Sequence, residues 1–296
     1  MSAAPPTAAG DVWTVRRILE WTVPHLKSHG SESPRLDAEI LLAHARGCSR
    51  ILLYTNYDEP LTDAQRAVMR ELVQRRAAAE PVAYLVGHRE FFGLDFRVSR
   101  DVLIPRPDTE TLVVAALEFL ATRSESRVLD VGTGTGCIAI SLAVNAPNAH
   151  LTATDQSAAA LQVARENAAR HQVDERIHFV AGDLFAPLAA SEPFDLIVSN
   201  PPYISSSEID TLAPEVRLHE PRAALDGGPD GLAIIRRLIA DAPAFLRPAG
   251  RLLIEISGEQ AESVTQLLAG NGSFEDVRVV HDLARQPRVV QAVRKE

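Results

Sequence analysis

The stretch Leu129-Asp130-Val131-Gly132-Thr133-Gly134-Thr135-Gly136 decides how the rest of the chain is read. A short apolar run, Val128–Val131, ends in glycines at every second position, and Cys137–Val144 then has the composition of a helix. Glycines between a strand and a helix let the backbone turn tightly and approach a ligand closely. Alone such a loop is a weak signal, but its surroundings strengthen it. Leu151–Thr154 reads as the next strand and Asp155 ends it, about twenty residues after the loop, where a carboxylate accepts hydrogen bonds from ribose hydroxyls. A glycine turn beside a surface aspartate explains less of this ordered series, so a nucleoside-type ligand is expected. NAD suits the geometry too, although the spacing is GxGxG rather than GxGxxG and no phosphate-binding lysine follows.

Outward from the loop, strand and helix signals alternate. Ile177–Val180, Phe194–Val198, Leu252–Ile256, Phe274–Val280 and Val289–Val293 read as strands. Thr109–Leu120, Ala158–His171, Leu232–Phe245 and Gln260–Leu268 read as helices. This alternation predicts an α/β fold, a mostly parallel seven-stranded sheet covered on both faces. The last two strands have no helix between them, so one should run antiparallel. Ligands of such sheets bind beyond the carboxyl ends of the strands.

The first third is different. Val15, Ile18, Leu19 and Val23 recur at helical spacing, then Leu36, Ile40 and Leu41 after Ser33-Pro34, then Val68, Leu72 and Val73 after Thr62-Asp63. Three helices in a small bundle are expected over 12–80. Glu90–Val98 alternates around a glycine and predicts a β-hairpin within a connector, 81–107. Residues 108–296 form the α/β domain, and 1–11 read as a mobile tail.

Composition narrows the function. With 46% hydrophobic residues in 296, a large core is available. The net charge of −9 argues against affinity built on neutralising duplex phosphates. Cys48 and Cys137 are the only cysteines, too few for a disulfide framework or a cysteine zinc site, as in a reducing compartment. No apolar segment is long enough to span a bilayer, and the first residues lack the pattern of a signal peptide. A cytoplasmic protein without membrane contact or metal is expected.

Ser199-Asn200-Pro201-Pro202-Tyr203-Ile204 closes the fourth strand of the sheet. Proline has no N–H for a sheet and fixes its own φ, so the chain leaves the strand in a stiff, extended form. The bland account is a turn. The sharper one is a site for a flat, polar substrate.

Two resemblances choose between them. The loop is similar to motif I of S-adenosylmethionine-dependent methyltransferases. That implies S-adenosylmethionine as cofactor, with its amino-acid part against Gly132, Thr133, Gly134, Thr135 and Gly136, its ribose on Asp155, and its adenine beside Asp183 and Leu184. Asn200-Pro201-Pro202-Tyr203 matches the signature of methyltransferases acting on a planar nitrogen. In this resemblance the Asn200 oxygen and the Pro201 carbonyl accept both hydrogens of the substrate NH₂, Pro202 stiffens the turn, and Tyr203 offers a flat face. The tetrapeptide is shared with adenine-N6 methyltransferases of DNA and RNA.

The wider chain closely resembles the protein-(glutamine-N5) methyltransferase family of the HemK/PrmC type. The resemblance rests on PVAYLVGHREFFGLDFRVSRDVLIPRPDTE (81–110), LDVGTGTGCIAISLA (129–143), SNPPYI and EVRLHEPRAALDGGPDGL (215–232). It implies methyl transfer to the glutamine amide of the Gly-Gly-Gln motif in class-I peptide chain release factors. It also implies docking of that factor on the N-terminal bundle, a monomer, and no stable nucleic-acid partner. Phe91, Pro105, Arg106 and Glu110 match the family connector; Arg106 either lines the cleft or serves a structural salt bridge. A ribosomal-protein glutamine, a nucleic-acid adenine and a non-catalytic S-adenosylmethionine-binding regulator are the alternatives. Ser257 and Arg285-Gln286-Pro287 depart from the family pattern and are expected to lie away from the methyl-transfer site.

Overall fold

The computed structural model describes residues 12–188 and 192–296. The expected tail, 1–11, lies outside the described residues. The chain divides after Val86 into two units.

In the first unit, α1 (Val15–Ser28) starts at Thr14, whose side chain accepts from the Arg17 N–H. Then α2 (Pro34–Arg46) has proline in its first turn and stops at Gly47, at φ 64°. Two five-residue helices, α3 (Ile51–Thr55) and α5 (Val82–Val86), add to the expected three. A single turn of helix leaves no periodicity to read. Between them, α4 (Asp63–Ala77) opens with a reciprocal capping box between Thr62 and Gln65. Leu19, Leu26, Leu41, Leu42, Leu53 and Leu72 form the core.

The second unit begins with the hairpin β1 (His88–Phe91) and β2 (Leu94–Arg97), joined by Phe92-Gly93, both at positive φ. Phe91 and Phe96 are buried in the core of this unit, with α6 (Glu110–Leu120). The sheet follows as β3 (Ser126–Val131), β4 (Ala149–Asp155), β5 (Ile177–Ala181), β6 (Phe194–Ser199), β7 (Leu246–Glu255), β8 (Phe274–His281) and β9 (Pro287–Arg294). In space the order is β5-β4-β3-β6-β7-β9-β8. The strand that runs against its neighbours is β9, which pairs antiparallel with both β7 and β8. Next to α6, α7 (Cys137–Asn145) and α8 (Ala158–Arg170) supply one core layer, through Leu112, Ile140, Leu142 and Ala168. Across the sheet, α10 (Ala233–Asp241) and α11 (Ala261–Gly270) supply the other, through Ile235, Leu238, Val264 and Leu268. The helix expected over 232–245 ends at Asp241 because Pro243 sits in the 3-10 turn that follows. A short α9 (Pro214–His219), not read from the sequence, lies between β6 and α10.

One row of register partners places the site. Thr154 pairs with Val131, Val131 with Ser199, and Ser199 with Ile254. The next residues, Asp155, Gly132, Asn200 and Glu255, therefore leave the sheet side by side at its carboxyl edge. Connections diverge between β3 and β6, the switch point where such sheets bind ligands. Among the described residues, no helix is long and apolar enough to cross a membrane.

Candidate active site

The glycine loop is held by its own backbone. Gly132 and Thr133 both donate N–H bonds to the Thr154 carbonyl, at 2.8 and 2.9 Å, and Gly136 donates to the Thr133 carbonyl at 2.8 Å. Gly132, Gly134 and Gly136 have φ of 76°, 55° and 81°, the left-handed region. A Cβ on Gly136 would also sit 2.8 Å from Ile140 Cδ1, whereas one on Gly132 or Gly134 would meet nothing within 4 Å. The first is packed against α7, and the other two leave a bare edge. Thr133 and Thr135 turn inward and are buried. The Thr133 hydroxyl donates to Asp130 Oδ2 at 2.6 Å. Asp130 is fully buried, its other oxygen has no partner among the described residues, and burial pushes its carboxyl up to about 7.

Asp155 is oriented by two backbone donors, Gly134 N at 2.9 Å and Ser157 N at 2.8 Å, one on each oxygen. Each oxygen keeps a lone pair for a ligand hydroxyl. Asn167 on α8 clasps the loop from behind. Its oxygen accepts from Arg97 N at 2.7 Å, and its nitrogen donates to the Arg97 and Thr135 carbonyls at 3.0 and 2.9 Å.

At the end of β6, the Ser199 hydroxyl donates to the Val131 carbonyl at 2.7 Å, tying the two halves of the sheet together. Asn200 then donates its side-chain N–H to Thr109 Oγ1 at 3.1 Å. That contact uses the nitrogen and leaves Asn200 Oδ1 as an acceptor. Arg106 is an ion-pair partner of the buried Glu220, whose other oxygen accepts from Ile104 N at 3.2 Å. The Glu220 of HEP thus anchors the PRP segment, and Glu110 accepts from Phe92 N at 3.0 Å to anchor the hairpin turn.

A cleft of about 440 Å³ gathers most of the expected residues: Gly132, Thr133, Gly134, Thr135, Asp155, Asp183, Leu184, Asn200 and Pro202 line it. Gly136, Pro201 and Tyr203 are not on its wall. Tyr203 borders a neighbouring groove with Ser257 and Gln260. There the Gln260 side chain donates to the Tyr203 and Gly231 carbonyls at 2.8 and 3.3 Å. A Cβ on Gly231 would lie 2.4 Å from the Tyr203 carbonyl oxygen, so this approach needs glycine. Ser257 caps the turn carrying Gln260. The departure at Ser257, expected far from the site, therefore stands at the same carboxyl edge and is linked to Tyr203 through Gln260. Asp183 pairs with Arg237 at 2.6 Å.

Residues 17–87 match the family model for a PrmC N-terminal domain, and residues 108–229 that for a methyltransferase small domain. A release factor glutamine methyltransferase from Rhodopirellula baltica is 47% identical, covering 94% of this chain and 95% of its own. The enzyme of the same name from Geobacter sulfurreducens is 46% identical, covering 90% of this chain and 92% of its own. The chain belongs to the release factor glutamine methyltransferase family. The crystal structure of a methyltransferase from Pyrococcus furiosus shares its fold, with a TM-score of 0.52 at 18% identity over 75% of this chain and 99% of that one.

The cleft of this family member fits S-adenosylmethionine on its own chemistry. Its volume lies within the roughly 300–1,000 Å³ of small-molecule sites. Among the described residues, its lining cations are Arg106 and Arg237, each paired with a carboxylate, which suits a ligand without phosphates. Asp155 presents preset acceptors, and the bare edge of the loop admits close approach.

Sequence reasoning missed Asp130, Thr109, Asn167 and Glu255 as parts of this site. Asp130 and Glu255 carried a local signal, since each is an acid within an apolar strand that ends at the active edge.

Proposed function

We propose that this methyltransferase moves a methyl group from S-adenosylmethionine to the side-chain amide nitrogen of the glutamine in the Gly-Gly-Gln motif of class-I peptide chain release factors. The observation that carries the chemistry is Asn200, placed in the same cleft as the glycine loop and Asp155, with its nitrogen engaged by Thr109. The near full-length identity to release factor glutamine methyltransferases supports the substrate.

When bound, S-adenosylmethionine supplies an electrophilic sulfonium methyl and leaves as a neutral thioether. Gly132, Gly134 and Thr135 would hold its amino-acid part, Asp155 its ribose hydroxyls, and Asp183 and Leu184 its adenine. An amide nitrogen is a poor nucleophile because its lone pair is delocalised into the carbonyl. Asn200 Oδ1 and the Pro201 carbonyl accept the two N–H bonds of the glutamine, shift electron density towards nitrogen and fix its direction. The stiff Pro201-Pro202 turn presents those acceptors without an ordering cost on binding. Tyr203, whose phenol lies near Glu255 and Arg106, is the flat face proposed for the planar group. As the new C–N bond forms, the nitrogen gives one proton to water. The glycines flanking the glutamine let a narrow cleft admit it. The N-terminal unit docks the release factor, and the enzyme works as a cytoplasmic monomer without stable nucleic-acid contact.

The test is methyl transfer from labelled S-adenosylmethionine to a release factor, with its Gly-Gly-Gln intact or with the glutamine replaced. Label is expected only on the intact factor. Label that persists without the glutamine, or that goes to nucleic acid alone, would overturn the proposal.

A further inference from the structure

Glu255 is the last residue of β7 and the lateral neighbour of Asn200, because Ser199 and Ile254 are register partners. Adjacent strands lie about 4.8 Å apart and residues in one register point to one face. On that face sits Thr109, in the turn that opens α6. Glu255 is 1% exposed, and neither carboxyl oxygen has a hydrogen-bond partner of good geometry. A buried carboxyl left in this state carries a cost that a structural role does not explain. Thr109 is 2% exposed, and its oxygen is occupied by the Asn200 N–H. Its one proton is therefore left to be given away, and Glu255 lies within interaction distance of both Thr109 and Asn200.

We propose that Glu255 is a positioning residue for methyl transfer: through the Thr109 hydroxyl it holds the Asn200 amide with nitrogen inward and oxygen towards the substrate, and its negative charge polarises that oxygen. The inference rests on the proposed function, in which Asn200 Oδ1 accepts from the glutamine NH₂. In a chain of hydrogen bonds each member strengthens the next. A carboxylate at the end of Glu255···Thr109···Asn200 draws the hydroxyl proton, the hydroxyl oxygen becomes a better acceptor, and the Asn200 oxygen becomes more electron-rich.

The surroundings set where this charge appears. Arg288 on β9 faces Glu255 and favours ionisation, but its guanidinium is shared between Asp108 at 3.1 Å and Asp282 at 3.2 Å. Asp108, Tyr203 and the Cys137 thiol also face Glu255, and Asp108 disfavours its charge. Burial outweighs the rest and pushes the carboxyl up to about 7. The charge on Glu255 therefore grows as pH rises through about 7.

The decisive measurement is kcat at saturating S-adenosylmethionine and Gly-Gly-Gln substrate from pH 6 to 8.5. It is made for the wild type, Glu255→Gln, Thr109→Val, Thr109→Ser and the Glu255→Gln/Thr109→Val double variant. Wild-type kcat is expected to rise roughly three- to ten-fold with a midpoint near 7, the worth of one modest hydrogen bond. Glu255→Gln abolishes that rise, Thr109→Ser retains it, and the double variant is no worse than Thr109→Val. KM for S-adenosylmethionine stays within about two-fold, which separates Glu255 from Asp130, a group of similar pKa in the cofactor loop. A second readout needs no turnover. The Asn200 side-chain NH₂ resonances of cofactor-free protein should titrate near pH 7 in the wild type and stay fixed in Glu255→Gln. A pH rise that survives in Glu255→Gln, additive losses in the double variant, or Asn200 resonances that titrate without Glu255 would each overturn the inference. Wild-type protein that never methylates glutamine would overturn the substrate reading instead, and the resonance experiment would still decide the role of Glu255.

Discussion

Replacing Asn167 by leucine is expected to damage cofactor binding from a position that touches no cofactor. Leucine keeps the branched heavy-atom outline and removes three hydrogen bonds at once: those from Arg97 N, to the Arg97 carbonyl and to the Thr135 carbonyl. The Thr135 carbonyl is buried, and a buried acceptor stripped of its partner costs about 1–3 kcal/mol. The two bonds to the Arg97 backbone are part-buried and cost about 0.5 kcal/mol each. The sum is about 2–4 kcal/mol, a large share of a normal folding free energy. Part of the loss falls on the glycine loop itself. If about 1.4 kcal/mol of it is expressed there, affinity for S-adenosylmethionine drops ten-fold. Urea unfolding and calorimetric titration of S-adenosylmethionine measure both quantities. Asn167→Asp is the informative companion, since it keeps the acceptor for Arg97 N, loses both donors, and should resemble the leucine variant rather than the wild type. A loss under about 1 kcal/mol, the worth of one ordinary hydrogen bond, together with unchanged affinity would refute the idea that this side chain braces the loop.

Asn200→Ala should lower kcat by the equivalent of about 2–4 kcal/mol in the barrier while S-adenosylmethionine still binds, because only the acceptor for the substrate NH₂ is lost; calorimetry beside a turnover assay separates the two. Gly136→Ala places a methyl 2.8 Å from Ile140 Cδ1 at a φ of 81°, so a loss of about 1–3 kcal/mol is expected in urea melts. Glu220→Ala leaves the Ile104 N–H and the Arg106 charge without their partner under the PRP segment, and a fall in Tm with a raised KM for substrate is the expected pair of readings. The Asp130 carboxyl rises from an ordinary 3.8 to about 7 on folding, so between those values the folded state binds more protons than the unfolded chain. That contribution makes stability fall as pH rises from about 4 to about 7. The stability gap between Asp130→Asn and the wild type should therefore widen in favour of the variant from pH 5 to pH 8, and a constant gap would contradict the assignment.

Elements written in adjacent residues are legible in the sequence alone. The glycine loop, the acid ending β4, an antiparallel strand among the last two and the β1–β2 hairpin each follow from a local pattern. What stays hidden joins distant segments. Thr109 meets Asn200 from 91 residues away, Arg106 meets Glu220 from 114, and Asn167 meets Arg97 from 70. No periodicity encodes those pairings. Short or interrupted elements are hidden for another reason. The six residues of α9 make too few turns to show a face. The start of β7 at Leu246 is obscured by Pro248 and Gly250, where its pairing with β6 shifts register. Tyr203 shows a limit of motif reasoning: the tetrapeptide fixes where its backbone goes, while the groove the residue borders is lined by α10 and α11.

The bond from Gln260 to the Tyr203 carbonyl spans 57 residues. As the chain emerges from the ribosome, the cofactor half, from the glycine loop to Leu184, is complete well before Gln260 is made. The Asn-Pro-Pro-Tyr corner is in place by then, but its clasp is not. The residues of the methyl-donor cradle are thus synthesised first, and the side chain that clasps the acceptor corner follows 57 residues after Tyr203. A chain ending before Gln260 would lack this clasp, along with α11 and the last two strands, so the Asn-Pro-Pro-Tyr corner would not be held as it is here.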